Sequence, residues 1–100
     1  MLHTVNKSPF EKNALESCLR FTKEGDAVLL LEDGIYAALQ KTAFDAKMTE
    51  ASKRIKIYAL LPDVEARGMR AEDLIAGIQP VDYGKFVDLV VENNTVQAWL

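Results

Sequence analysis

Five consecutive apolar residues, Ala27-Val28-Leu29-Leu30-Leu31, lie between Asp26 and the turn-forming Glu32-Asp33-Gly34. A run this short suits a strand better than a helix. A strand with no polar alternation has no face for water. Such strands occur where helices cover both sides of a parallel sheet.

The neighbouring segments fit that demand. Leu2 to Val5 reads as a short strand ending at Asn6. Ile55 to Leu60, Gln79 to Val81 and Thr95 to Trp99 read as further strands. Helical signals fall between them. Ser8 is placed as an N-cap, Pro9 as the first helical residue and Glu11 as the partner in a capping box, with Gly25 as the stop. At 100° per residue, Phe10, Ala14, Leu15, Cys18, Leu19 and Phe21 share one half of that helix. Ile35 to Leu39 reads as a short helix, and residues 40–53 as loop or loop plus a helical turn. Pro62-Asp63 opens another helix, which Gly68 ends, and Met69 to Ala76 fits one more polar turn. Asp82 caps a helix running through Phe86, Leu89 and Val90, and Asn93-Asn94 turns the chain into the last strand. Strands alternating with helices predict an α/β fold, a three-layer α/β/α arrangement around a mostly parallel sheet. At 100 residues this is expected to be one domain, spanning 1–100.

Charge and composition exclude several functions. The net charge is −3, and the densest basic cluster (Lys53, Arg54 and Lys56) is too small to track a phosphate backbone. It reads as a solvated strand entrance, and no direct nucleic-acid contact is expected. One cysteine excludes an internal disulfide, and no Cys/His cluster suits zinc. No metal or cofactor is expected. The N-terminus lacks a charged-then-apolar signal, and the longest apolar run is far too short to span a membrane. The expectation is a soluble cytoplasmic protein. Hydrophobic residues make up 49% of a chain too short to bury a large fraction of its surface, which favours association with partners.

Chemistry in open parallel sheets sits beyond the carboxyl ends of the strands. Those ends are Asn6 to Ser8, Glu32 to Gly34, Leu61 to Asp63 and Asp82-Tyr83. Asp33 and Asp82 could form an acid/base pair there, or could simply serve as turn and cap residues. His3, the only histidine, lies inside its strand, where a hydrogen-bonded structural role competes with a general-base role. Cys18 is the candidate catalytic residue, because a thiol is the one side chain here able to carry sulfur or form an adduct unaided. Against that, it lies about three turns into the expected helix, beyond the reach of the N-terminal dipole, and no basic residue shares its arc. It could equally be a small core hydrophobe.

The opening Met1-Leu2-His3-Thr4, the stretch Leu30 to Ala38 (LLEDGIYAA), Ala66-Arg67-Gly68, Val81-Asp82-Tyr83 with Phe86-Val87, and the closing Gln97-Ala98-Trp99 together resemble the DsrH/TusB family. The resemblance runs almost end to end and implies the DsrE-like fold, a five-stranded parallel α/β sheet. It also implies a heterohexamer holding two copies each of three related subunits. The chain would be the smallest, beside a DsrE/TusD-like and a DsrF/TusC-like subunit. Such an assembly passes persulfide sulfur to a DsrC/TusE-type carrier, either for 2-thiouridine synthesis on tRNA or in dissimilatory sulfur oxidation. The main catalytic cysteine of the larger sister subunit has no counterpart in Ile57 to Gly68, which contains no cysteine. Cys18 resembles the cysteine of the DsrH form. That implies the sulfur-oxidation branch ahead of tRNA thiolation, with Cys18 as a candidate auxiliary persulfide site. The rival readings are a purely structural subunit and a small-ligand binding module using Asp33 and Asp82. Phe86, Val87, Val90, Val91, Trp99 and Leu100 are the candidate interface residues, unless they complete the core.

Overall fold

The computed structural model describes residues 1–100. In chain order the elements are β1 (Leu2–Val5), α1 (Ala14–Phe21), β2 (Ala27–Leu30), a 3-10 segment Glu32–Ala38, α2 (Asp45–Ala51) and β3 (Lys56–Leu60), and then α3 (Leu61–Ala66), a 3-10 turn Ala71–Asp73, β4 (Ile78–Val81), α4 (Tyr83–Glu92) and β5 (Val96–Trp99). The strands form one sheet in the order β4-β3-β2-β1-β5, and every neighbouring pair is parallel. The expected parallel α/β sheet is therefore present, covered on both faces.

Strand order explains how unequally the faces are covered. The first three crossovers step one strand at a time in a single direction. The fourth returns across the sheet to the far side of β1. Parallel crossovers keep one hand, so reversing direction moves the connection to the opposite face. The first face therefore carries α1, the 3-10 segment, α2 and α3. Its core includes Val5, Val28, Leu30, Ile57 and Ala59 from the sheet and Leu15, Cys18, Met48 and Val64 from the helices. The second face is covered by α4 alone, through Leu89 and Phe86 over Leu2, Leu29, Tyr58, Leu60 and Val81. The β2 run is buried at all four positions, as its lack of polar alternation requires.

The first helix departs from the expectation. It begins at Ala14, not at Pro9. Ser8 Oγ accepts from the Phe10 amide only two residues on, at 3.2 Å, and the Ser8 carbonyl accepts from Glu11 and Lys12. Ser8 therefore closes a separate turn instead of opening the helix, and the capping box does not form. Phe10 is 57% exposed and sets its ring edge-on against Phe44, with centroids 5.1 Å apart. The helix also stops at Phe21, before Gly25. Its last carbonyls are capped from a distance, by Arg54 donating to Leu19 O at 3.1 Å and to Thr22 Oγ1 at 2.9 Å. One member of the basic cluster is thus a structural cap. Residues 40–53, left ambiguous by the sequence, contain α2, which buries only Met48 and Ala51. The expected helix at Ile35 to Leu39 is the 3-10 segment, and Asp82 caps α4 by accepting from the Lys85 amide at 2.8 Å.

Candidate functional site

Cys18 is fully buried on the sheet-facing side of α1, between Leu15 and Leu19. Because α1 starts late, the thiol lies just beyond its first turn, closer to the helix start than the sequence suggested. That proximity does not activate it. Burial, and after it the Asp26 carboxylate, push the thiol from 9.0 up to about 12. At neutral pH only about one molecule in 10⁵ would hold it as thiolate, the form that attacks sulfur. In the closed chain Cys18 is a packing residue.

His3 is brought close to the same region, but into a different network. It is 2% exposed, on the face of β1 that α1 covers. Its Nε2 lies 2.9 Å from Asp26 Oδ2, and its Nδ1 lies 3.1 Å from the indole Nε1 of Trp99. The indole N–H can only donate, so Nδ1 must be the acceptor and the single imidazole proton sits on Nε2. Asp26 also accepts from the Lys23 amide and pairs with the Met1 ammonium at 3.2 Å. Burial alone would raise the Asp26 carboxyl. The His3 hydrogen bond, the Lys23 amide and the Met1 ammonium outweigh it and hold the group at about 2. His3 is thus a connector with both nitrogens engaged, and no Cys18–His3 hydrogen bond forms. From sequence, Asp26 reads only as a strand boundary. Its signal lay in the register, since Leu2 pairs with Ala27 and the preceding residue falls beside Met1.

The carboxyl ends of β1, β2 and β3 converge on a second cluster. Asp33 Oδ1 pairs with the Arg67 guanidinium at 3.0 Å, and Arg67 also donates to the Asp63 carbonyl. Asp63 Oδ2 accepts from the Glu32 amide at 2.6 Å, holding a non-glycine residue at φ 50. Gly34 packs directly on the end of β1: a Cβ there would stand 2.9 Å from the Val5 carbonyl carbon, and closer still to its oxygen. Asp82 is engaged elsewhere, as the α4 cap. Asp33 and Asp82 are therefore not brought together as an acid/base pair, and each has a structural partner. Asp63, read from the sequence as a helix-opening residue at a strand end, and Arg67, noted there only within the resemblance, are what tie this end together. The main clefts lie elsewhere. One of about 360 Å³ runs between α1 and α2 past Leu19, Lys47 and Arg54, and another of about 380 Å³ lies beside Gln40 and Met69. No group of three or more His, Cys, Asp or Glu side chains is placed to hold a metal ion. No helix is long and apolar enough to cross a membrane.

Comparison with known proteins identifies relatives over nearly the whole chain. A family model described as DsrH like protein matches residues 7–96. Protein TusB of Pectobacterium parmentieri is 39% identical over 99 residues, covering 99% of this chain and 100% of that relative. Protein TusB of Shigella flexneri is 38% identical with the same coverage. Among solved structures, the ychN protein from E. coli superposes with a TM-score of 0.80 at 15% identity, covering 97% of each chain. A protein of unknown function from Methanobacterium thermoautotrophicum gives 0.75 at 17% identity, covering 97% of this chain and 95% of the other. At those identities the two structures establish the shared fold alone.

Proposed function

The chain belongs to the DsrH-like family, and from that premise we propose that it is a cytoplasmic subunit of a sulfur relay complex serving 2-thiouridine synthesis on tRNA. The observation that carries this reading is the 39% identity to Protein TusB across 99 residues. In this reading the chain partners a DsrE/TusD-like and a DsrF/TusC-like subunit in a heterohexamer that hands persulfide sulfur to a DsrC/TusE-type carrier. Its contribution is architecture and docking. Support comes from the outer side of α4, where Val87, Val90 and Val91 are exposed, and from Leu100, which is 81% exposed. Of the six candidate interface residues, Phe86 and Trp99 instead pack partly inward.

Dissimilatory sulfur oxidation is the second reading, and the presence of Cys18 is what favours it. Cys18 serves as an auxiliary persulfide site only in a state where the thiol is uncovered.

Two measurements test the proposal. Deleting the gene should abolish 2-thiouridine in bulk tRNA, and the wild-type gene should restore it. Unchanged 2-thiouridine would sink the tRNA reading. Intact mass of the co-purified complex after persulfide treatment then addresses Cys18. A reducible gain of one sulfur on this chain, lost in Cys18→Ser, makes it a carrier. No gain here while a sister subunit is loaded makes it packing.

A further inference from the structure

We propose that β5 is a detachable strap whose opening uncovers Cys18, and that the Trp99–His3 hydrogen bond is its fastener.

β5 is weakly held. It is an edge strand, paired only with β1. Val96, Gln97 and Ala98 are exposed, so their side chains add little burial. Trp99 is the only β5 side chain anchored in the body of the protein. Its indole donates to His3, and its ring lies 5.6 Å from that of Phe21. Elements with few buried apolar contacts open locally at far lower free energy than the core.

Helix α1 lies beneath it. Of the five strands, α1 packs chiefly against β1 and β5. The buried side of α1 carries Cys18. Lifting β5 removes one of the two strands that this helix chiefly packs against and opens a path to the thiol, while β2, β3 and β4 keep their pairing. His3 remains tied to Asp26, so the fastener can close again on the same acceptor. The strap depends only on this chain's geometry and would operate whether or not sulfur ever loads at Cys18.

The test is labelling of Cys18 in the full chain at neutral pH with dithiodipyridine. Cys18 gives its proton to water, and its thiolate attacks one sulfur of the reagent; the reagent's S–S bond breaks, a mixed disulfide forms, and the other half leaves as a thiolate that takes up a proton to become pyridinethione. When reclosing outruns labelling, the rate reports the fraction of open molecules. Trp99→Phe keeps a ring but removes the donor. Losing one hydrogen bond should raise the rate roughly fivefold. Val81→Ala, on the opposite edge strand β4, lowers global stability without touching the strap and should leave the rate unchanged. Equal acceleration in both variants would mean that Cys18 is reached only by global unfolding, and no acceleration in Trp99→Phe would mean that Trp99 is not the fastener. Either result overturns the proposal. Should Trp99→Phe fail to fold, amide exchange in the wild type decides. The Leu2 amide, bonded to Thr95 O at 3.0 Å, should exchange well before the β2–β3 amides, and simultaneous exchange would refute the strap.

Discussion

Raising the pH should destabilise this protein through one buried thiol. Cys18 titrates near 9.0 in the unfolded chain and at about 12 in the folded one. The folded value is the higher, so the protonated thiol's contribution is fully present below about 9 and is lost as the pH rises towards 12. Each unit above 9 removes about 1.4 kcal/mol, giving a loss of about 1.4 kcal/mol at pH 10 and about 2.7 at pH 11. The side chain is fully buried, so water does little to screen this effect. Lysines and tyrosines also titrate in this range, so the comparison must be with Cys18→Ala. That variant loses packing at every pH, by about 1 kcal/mol. Urea unfolding of both proteins at pH 7 and pH 10 should show the gap closing by about 1.4 kcal/mol, which leaves the variant as the more stable form at pH 10. A gap that stays constant would show that the thiol is solvated in the folded state, and the assignment of Cys18 to the sealed core would fall.

Three other perturbations follow from the same contacts. Asp26 sits at about 2 when folded against 3.8 when unfolded, so its contribution of about 2 kcal/mol is present above about pH 4 and lost as the pH falls towards 2. Asp26→Asn should therefore lower stability at pH 6 by about that amount and abolish this acid dependence in urea melts. Gly34→Ala drives a Cβ into the Val5 carbonyl, a backbone group that cannot rotate away. It should destabilise by about 3 kcal/mol, lowering Tm by roughly 10 °C or more, whereas Gly68→Ala, with open space at φ 79, should lose only about 1 kcal/mol. Val91→Asp alters a side chain that is 77% exposed on α4, so the isolated chain should keep its stability within about 0.5 kcal/mol while co-purification with partner subunits fails. Retained co-purification would remove α4 from the docking surface.

The strands were legible because each is a short run whose pattern matches its place in the sheet. Ala27–Leu30, central and covered on both sides, is apolar throughout, whereas Val96–Trp99 at the edge buries almost nothing. Capping at Asp82 was legible for the same local reason. The capping signal at Ser8 misled, since the same hydroxyl can bond two residues on and close a turn, which sequence cannot distinguish from a helix start. Helix α2 was not readable from periodicity, because two buried positions in seven residues define no face. At the site, the pairing of Asp26 with His3 and of Asp33 with Arg67 depends on strand register and crossover length. Neither leaves a mark in local sequence.

The residues that carry the family resemblance meet one another in space. His3 of the opening segment accepts from Trp99 of the closing one, 96 positions away. Asp33 and Gly34 come from one stretch. Asp33 pairs with Arg67 of another, and Gly34 seats on the end of β1. Asp82 starts the helix that alone covers the second face. These positions therefore close the fold, a role that favours neither of the two proposed pathways. Cys18 stands outside all of them and was the only residue favouring oxidation. Within the closed chain its packing fully accounts for it. What differs between the two pathways must then be sought on surfaces that the fold does not need, and the valines on the outer side of α4 are such a surface.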